Sequence, residues 1–220
     1  KVVNDFTPFT DATQIVDESQ LKRRQKGEKR SVDTVSVIGA GTGLGKGVLV
    51  GAGKGHRHVE SEGGHAAAPV RPRDGELHSF LMDRTGRVPV QEDFLSGRGL
   101  KNIHDFLMQK SFSDTEELSP EQISERKDKQ DSCREAFDIF VSVYADLAQA
   151  FALETNPGKG LYIGGGVAAR NPDEFGDRFV ERFVDAPEPR FGELLRGMPV
   201  RLVTDYKVSL LGAERVLETH

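Results

Sequence analysis

The sequence predicts a layered α/β domain, and three patterns along its 220 residues predict it. A β-rich segment punctuated by glycine turns occupies residues 34–60, helical patterns fill the middle, and strand–helix alternation returns in the last third. Alternation of that kind buries a sheet beneath helices and builds layers around a shared core.

The elements follow in chain order. Lys1-Val2-Val3-Asn4-Asp5-Phe6 runs a β-branched pair straight into Asn-Asp, which reads as the end of a strand. A domain rarely starts there, so the chain is expected to be a fragment. Residues 7–30 are mostly polar, and within them residues 22–30 (KRRQKGEKR) hold six basic residues and one acid. That stretch is expected to be solvated and mobile, with a basic patch for an anionic partner as the alternative. Residues 34–38 (TVSVI), 48–50 (VLV) and 56–60 read as three short strands in a meander, separated by glycine-rich turns at 39–47 and 51–55.

Helices follow. Residues 74–84 place Leu77, Phe80 and Leu81 on one face before Gly86, and residues 99–108 align Leu100, Ile103, Phe106 and Leu107. Ser119-Pro120-Glu121-Gln122 is a capping box with proline at the first helical position, so a helix starts there. Residues 132–155 carry Ala136, Phe137, Ile139, Phe140, Val143, Leu147 and Phe151, a long and largely buried helix closed by Asn156-Pro157-Gly158. In the last third, residues 160–163 (GLYI) read as a strand entering Gly164-Gly165-Gly166. Residues 172–183 follow as a helix, 200–203 as a strand and 209–217 as a closing helix.

Composition narrows the function. With 36% hydrophobic and 30% charged residues the chain reads as an ordinary globular protein. A net charge of −5 and a pI near 5.7 argue against general nucleic-acid binding, which demands a basic surface. A single cysteine, Cys133, excludes an intramolecular disulfide and a Cys₄ metal site, and fits a reducing cytoplasm. No signal-peptide pattern opens the chain, and no apolar run is expected to approach the ~18 residues that cross a bilayer.

The run Gly39-Ala40-Gly41-Thr42-Gly43-Leu44-Gly45-Lys46-Gly47 suggests two familiar motifs and fits neither. A dinucleotide fingerprint needs glycine at i, i+2 and i+5, where this chain has Leu44 or Lys46. A Walker loop needs glycine where Ala40 stands, and no helix pattern follows. What remains is a glycine turn between two strands. It is either a concave nest of backbone N–H groups for phosphate oxygens, with Thr42 adding a hydroxyl, or merely a tight hairpin.

Further strings bear on that choice: Val3-Asn4-Asp5-Phe6-Thr7, Glu62-Gly63-Gly64-His65 and Glu92-Asp93-Phe94-Leu95-Ser96-Gly97-Arg98-Gly99-Leu100. With GAGTGLG, Gly164-Gly165-Gly166-Val167 and Leu210-Leu211-Gly212-Ala213 in the same order, the chain resembles bacterial-type glucokinases from residue 1 to about residue 217. The resemblance implies the large C-terminal domain of an actin-like (ribonuclease H-like) ATPase: a mixed sheet flanked by helices, with a helical insertion in the middle. It implies ATP-dependent phosphorylation of glucose, with Asp5 as general base and Asn4, Glu62, His65 and Glu92 on the sugar hydroxyls. It assigns Gly39, Gly41, Thr42 and Gly43 to a second phosphate loop, and Gly164, Gly165 and Gly166 to the adenosine pocket. Mg²⁺ would arrive with ATP, held mainly by phosphate oxygens and water. A cytoplasmic homodimer is the family default.

Two features depart from the family. No Asp-x-Gly-Gly-Thr phosphate loop occurs in the 220 residues, so the first phosphate-binding lobe is expected to be missing and this chain alone to be a poor kinase. A non-catalytic sugar-binding or regulatory module of the same fold, or a kinase for another hexose, are the alternatives. The basic stretch at 22–30 matches no family motif. His56 and His58 alternate along a strand and would share a face, which makes a metal site imaginable. The cysteine-rich zinc site of some relatives has no counterpart here, and no protein-bound metal is expected. Cys133 reads as a small buried apolar residue.

Overall fold

The computed structural model describes residues 6–28, 30–51, 55–69, 71, 74–111, 116–205, 208 and 212. Among the described residues six strands form one mixed sheet: β1 (Leu21–Gln25), β2 (Thr34–Ala40), β3 (Leu44–Val50), β4 (Arg57–Ser61), β5 (Gly160–Gly164) and β6 (Val200–Val203), in the spatial order β1-β6-β5-β2-β3-β4. The central strands β2, β5 and β6 run parallel, whereas β3, β4 and β1 add antiparallel to their neighbours. β2 is buried at all seven positions, as a strand covered on both faces should be. The meander over β2, β3 and β4 is as expected, but the ladder closes further than the apolar runs suggest. Ala40 still faces Leu44, so the turn is only Gly41-Thr42-Gly43.

Helix α6 (Asp131–Thr155) crosses one face of the sheet. Its Phe137, Phe140, Tyr144, Leu147 and Phe151 share a core with Ile38, Ala40, Leu44, Val48, Leu161 and Ile163 of the strands. Burying each such side chain contributes ~1.5–3 kcal/mol, which fixes the helix to that face. By length and composition α6 could cross a bilayer, contrary to the expectation that no run approaches that length. Yet 72% of its most apolar window is buried inside the fold, which makes it the core helix. It ends where Asn156 turns left-handed (φ 45°). Helices α4 (Gly97–Lys110), α5 (Pro120–Arg126) and α8 (Asp177–Val184) pack beside it. The Ser119 cap of α5 forms both bonds of its box: the Gln122 N–H donates to Ser119 Oγ (3.2 Å) and the Ser119 N–H to Gln122 Oε1 (2.8 Å). On the opposite face a smaller core joins Phe9 and Ala12 of α1 (Thr7–Ala12) to Val35, Val37, Leu49 and Tyr162. Helices α2 (Gly75–Thr85), α3 (Gln91–Phe94), α7 (Gly166–Arg170) and α9 (Pro189–Arg196) complete the set among the described residues.

Several expectations need correction. The polar stretch 7–30 holds α1, a 3₁₀ turn (Glu18–Gln20) and β1, and β1 runs into the segment 22–30 expected as a mobile loop. Half of the basic stretch is therefore an ordered edge strand, paired to β6 from Leu21↔Val203 to Gln25↔Val200. Its charges find partners, Lys22 on Asp173 at 2.9 Å and Arg24 on the carbonyl of Pro172. Lysine and arginine on an edge strand also discourage pairing with other chains. The helix expected over 172–183 is broken at Gly176 into a 3₁₀ turn (Pro172–Phe175) and α8. α9 escapes the sequence pattern because the prolines ahead of it, at 187 and 189, read as breakers, although Pro189 merely occupies its first turn. The strand end at Val2-Val3 lies outside the described residues, as does the closing helix expected over 209–217 apart from Gly212.

Candidate active site

Parallel sheets bind ligands beyond the carboxyl ends of their strands, at the point where the connections diverge. Here β2 and β5 are neighbours whose last pair is Gly39↔Gly164. The chain leaves β2 into the Gly41-Thr42-Gly43 turn toward β3, and leaves β5 into Gly165 and α7. The two glycine runs therefore meet at one edge of the sheet. A Cβ added at Gly41 would lie 4.0 Å from the Gly166 nitrogen, its nearest heavy neighbour.

The turn is held from below by Tyr144 of α6, which is fully buried. Its phenolic oxygen accepts the Ala40 N–H (3.2 Å), and its one hydrogen faces the carbonyl oxygens of Ile38 (3.0 Å) and Gly164 (2.9 Å). Burial raises the phenol's pKa above its ordinary range, so it stays a neutral donor. One hydroxyl thus ties the ends of β2 and β5 together. The sequence pattern alone does not single out Tyr144, although a tyrosine inside an apolar helical stripe must find a partner for its hydroxyl.

The turn is held from the side by residues 92–98. The Glu92 carboxylate accepts the Leu44 N–H through Oε2 (3.0 Å) and Arg98 through Oε1 (3.1 Å), while the Gly97 N–H donates to the Gly41 carbonyl (2.8 Å). Glu92 therefore positions the glycine turn, a role its place in the sequence does not suggest. Asp93 is buried and structural: Arg87 grips it bidentately (2.7 and 3.0 Å) and the Val90 N–H donates to it (2.8 Å). Within the turn the Gly41 N–H donates to the Gly43 carbonyl (2.8 Å). The N–H groups of Thr42 and Gly43 are left without an acceptor among the described residues. Any nest is thus narrower than a run of five glycines suggests.

The EGGH string packs onto the same hairpin. A Cβ at Gly64 would lie 2.2 Å from the Leu44 carbonyl oxygen, so only glycine lets the 3₁₀ turn (Gly63–His65) approach β3. Glu62 and His65 are exposed beside it. The Gln91 N–H donates to the Ala66 carbonyl (3.0 Å) and Ala67 bridges Val90, which stitches this segment to the one bearing Glu92. Asn4 and Asp5 lie outside the described residues, but Phe6, the next residue along, covers the root of the hairpin: a Cβ at Gly45 or Gly39 would meet its ring at 2.1 or 2.9 Å. Glu62, His65, Glu92, Gly39, Gly41, Thr42, Gly43 and Gly164 to Gly166 are therefore gathered around one hairpin.

Comparisons with known proteins show the family. A family model described as Glucokinase matches residues 1–220. The chain is 34% identical over 230 residues to a glucokinase of Aromatoleum aromaticum, covering 99% of this chain and 66% of that one. It thus spans a little less than two thirds of that relative's length. Among solved structures it resembles a glucokinase from an Antarctic psychrotroph (TM-score 0.86, 28% identity, covering 100% of this chain and 68% of that one). It also superimposes on a glucokinase from Balamuthia mandrillaris solved in complex with glucose (TM-score 0.80, 18% identity, 98% and 65%). The fold is that of the actin-like ATPases, and with a family model matching its whole length the chain belongs to the glucokinase family.

Proposed function

We propose that these 220 residues are the large, sugar- and nucleotide-binding domain of a cytoplasmic, homodimeric, ATP-dependent glucokinase, which transfers the γ-phosphoryl group of ATP to the 6-hydroxyl of glucose. The observation that carries the reading is the convergence on one hairpin. A glycine turn and a second glycine run face each other at the carboxyl ends of β2 and β5; Glu92 accepts from the N–H of Leu44, the first residue of β3, and the turn bearing Glu62 and His65 packs against that residue's carbonyl through Gly64.

In this reading the Thr42 and Gly43 N–H groups and the Thr42 hydroxyl take phosphate oxygens. The open faces of Gly41 and Gly166 admit the phosphate chain where a methyl would intrude. Glu62, His65 and Asn4 hold ring hydroxyls, and Glu92 accepts from the sugar with the lone pairs that the Leu44 N–H and Arg98 leave available. Asp5 takes the proton of the 6-hydroxyl as that oxygen bonds to the γ-phosphorus and the bond to the β-phosphate oxygen breaks, releasing ADP. A Mg²⁺ ion would be carried in by the phosphate oxygens and water. That ion would neutralise the developing charge. The polypeptide carrying both lobes is the species expected to turn over, because lobe closure excludes water from the transferring group.

Calorimetric titration of the chain with glucose, galactose serving as control, tests the sugar site. In the complete enzyme, Asp5→Asn is expected to lower kcat by ~10²–10⁴-fold while sparing glucose binding. Near-normal turnover in that variant sinks the base assignment, and glucose binding no better than galactose binding in the complete enzyme sinks the substrate. Light scattering tests the dimer.

A further inference from the structure

A second cluster lies on the other side of the sheet from α6, away from the glycine turns. His58 on β4 pairs with Leu49 on β3, and paired residues share a face. Leu49 packs against Phe9 and Ala12 of α1, so His58 faces that helix. His56 lies two residues earlier and points the same way. What α1 presents to them is Asp11, whose side chain is 1% exposed. Both imidazole Nε2 atoms converge on one of its oxygens, Oδ1: His56 at 2.8 Å and His58 at 3.2 Å, with side-chain exposures of 6% and 17%. The two rings stand edge to face, their centroids 5.3 Å apart. Among the described residues these three alone bring three ligating atoms within 4.8 Å of one another.

We propose that Asp11, His56 and His58 form a binding site for a divalent transition-metal ion of the Zn²⁺ class, clamping α1 to β4. The donor set of two imidazoles and a carboxylate is one that such ions take, and that Mg²⁺, a seeker of oxygen ligands, does not. The spacing from each imidazole to the carboxylate fits with little movement, and all three ligand atoms lie within 4.8 Å of one another. Bonds of ~2.0–2.2 Å in a tetrahedral site hold ligand atoms about 3.3–3.5 Å apart. The pairs at 2.8 and 3.2 Å need to open by only a few tenths of an ångström. A water molecule would complete the coordination on the partly exposed His58 side. The sequence shows only two alternating histidines, because the third ligand is 45 residues away, on a six-residue helix within a mostly polar stretch.

The clamp has a reason to exist at this place. α1 begins at Thr7, two residues after Asp5, and β4 ends at Ser61, one residue before Glu62. An ion here would fasten together the elements from which two of the proposed sugar-site segments extend. The site itself stands whether or not the kinase reading does, since its ligands take no part in that chemistry.

The test uses the untagged chain stripped of metal by chelator. Titration with Co²⁺ is expected to give visible d–d absorption that saturates at one equivalent and is displaced by Zn²⁺ but not by Mg²⁺. Zn²⁺ should raise the Tm by several degrees, in proportion to the logarithm of its concentration over Kd. His58→Gln, the milder change because His58 is the more exposed histidine, and Asp11→Asn should each weaken Zn²⁺ binding by ~100-fold or more, whereas His78→Gln should leave it unchanged. The wild-type spectrum stands as evidence even if Asp11→Asn fails to fold. Absence of a saturable Co²⁺ spectrum in the wild-type chain overturns the proposal, as does Zn²⁺ binding undiminished in His58→Gln.

Discussion

Replacing Gly41 with alanine separates what the fold requires from what a ligand requires. Four of the five glycines in residues 39–47 have a packing reason. A Cβ at Gly39 or Gly45 would strike the Phe6 ring, one at Gly43 would lie 2.6 Å from Glu92 Oε2, and one at Gly47 would lie 2.3 Å from Thr10 Oγ1. Gly41 has none: its φ is not positive, and the nearest atom to an added methyl is the Gly166 nitrogen at 4.0 Å. A glycine-to-alanine change at a backbone conformation alanine tolerates stabilises by ~0.4–1 kcal/mol through the unfolded state. The same methyl would stand where the proposed phosphate approaches. Losing one charge-assisted hydrogen bond, at ~1.5–3 kcal/mol, weakens nucleotide affinity by about 10- to 100-fold. Urea denaturation and calorimetric titration with ATP, run on the same Gly41→Ala protein, read both quantities. A stable variant that binds ATP as tightly as wild type refutes the phosphate assignment. A variant destabilised by more than ~1 kcal/mol refutes the claim that the fold leaves this position open.

Further predictions concern neighbouring residues and one buried histidine. Gly165→Ala should cost at least ~2 kcal/mol by urea denaturation, because φ is +85° and its Cβ would lie 2.2 Å from the Ala40 carbonyl oxygen. Gly166→Ala meets only the end of the flexible Arg170 side chain, at 3.4 Å, and should hold wild-type stability while losing ATP affinity. Tyr144→Phe should lower the urea midpoint by an amount equivalent to ~1–3 kcal/mol, because the Ala40 N–H and the Gly164 carbonyl lose their buried partner. Burial holds the His104 imidazole below the ordinary histidine pKa of 6.5, with Asp105 opposing and Lys101 reinforcing. The unfolded chain therefore takes up a proton near pH 6.5 that the folded chain refuses, so this contribution is full above that pH and is lost as pH falls toward the lower folded value. Denaturation midpoints followed downward from pH 7 should fall less steeply in His104→Gln than in wild type.

How much of this was legible depends on where the information for each element resides. α6 and β2 were readable because their burial is decided by their own side chains: Phe137, Phe140, Leu147 and Phe151 at helical spacing, and a β-branched run at residues 34–38. β1 was not, since LKRRQ has no apolar alternation and becomes a strand only because the edge of β6, some 180 residues later, accepts it. α1 is six residues long with proline in its first turn, too short for a periodicity to register. The strings pick out a candidate site, yet a string does not say why a given residue is there. Glycine at 43 makes room for Glu92, at 45 for Phe6, at 64 for the Leu44 carbonyl and at 165 for the Ala40 carbonyl, all demands internal to the fold. Glycine at 41 and 166 answers to no such neighbour, and those two face each other across the end of the sheet. A position whose identity the packed chain does not require, but which opens onto a crevice between strand ends, answers to something outside the chain. That is where a nucleotide's phosphates would enter.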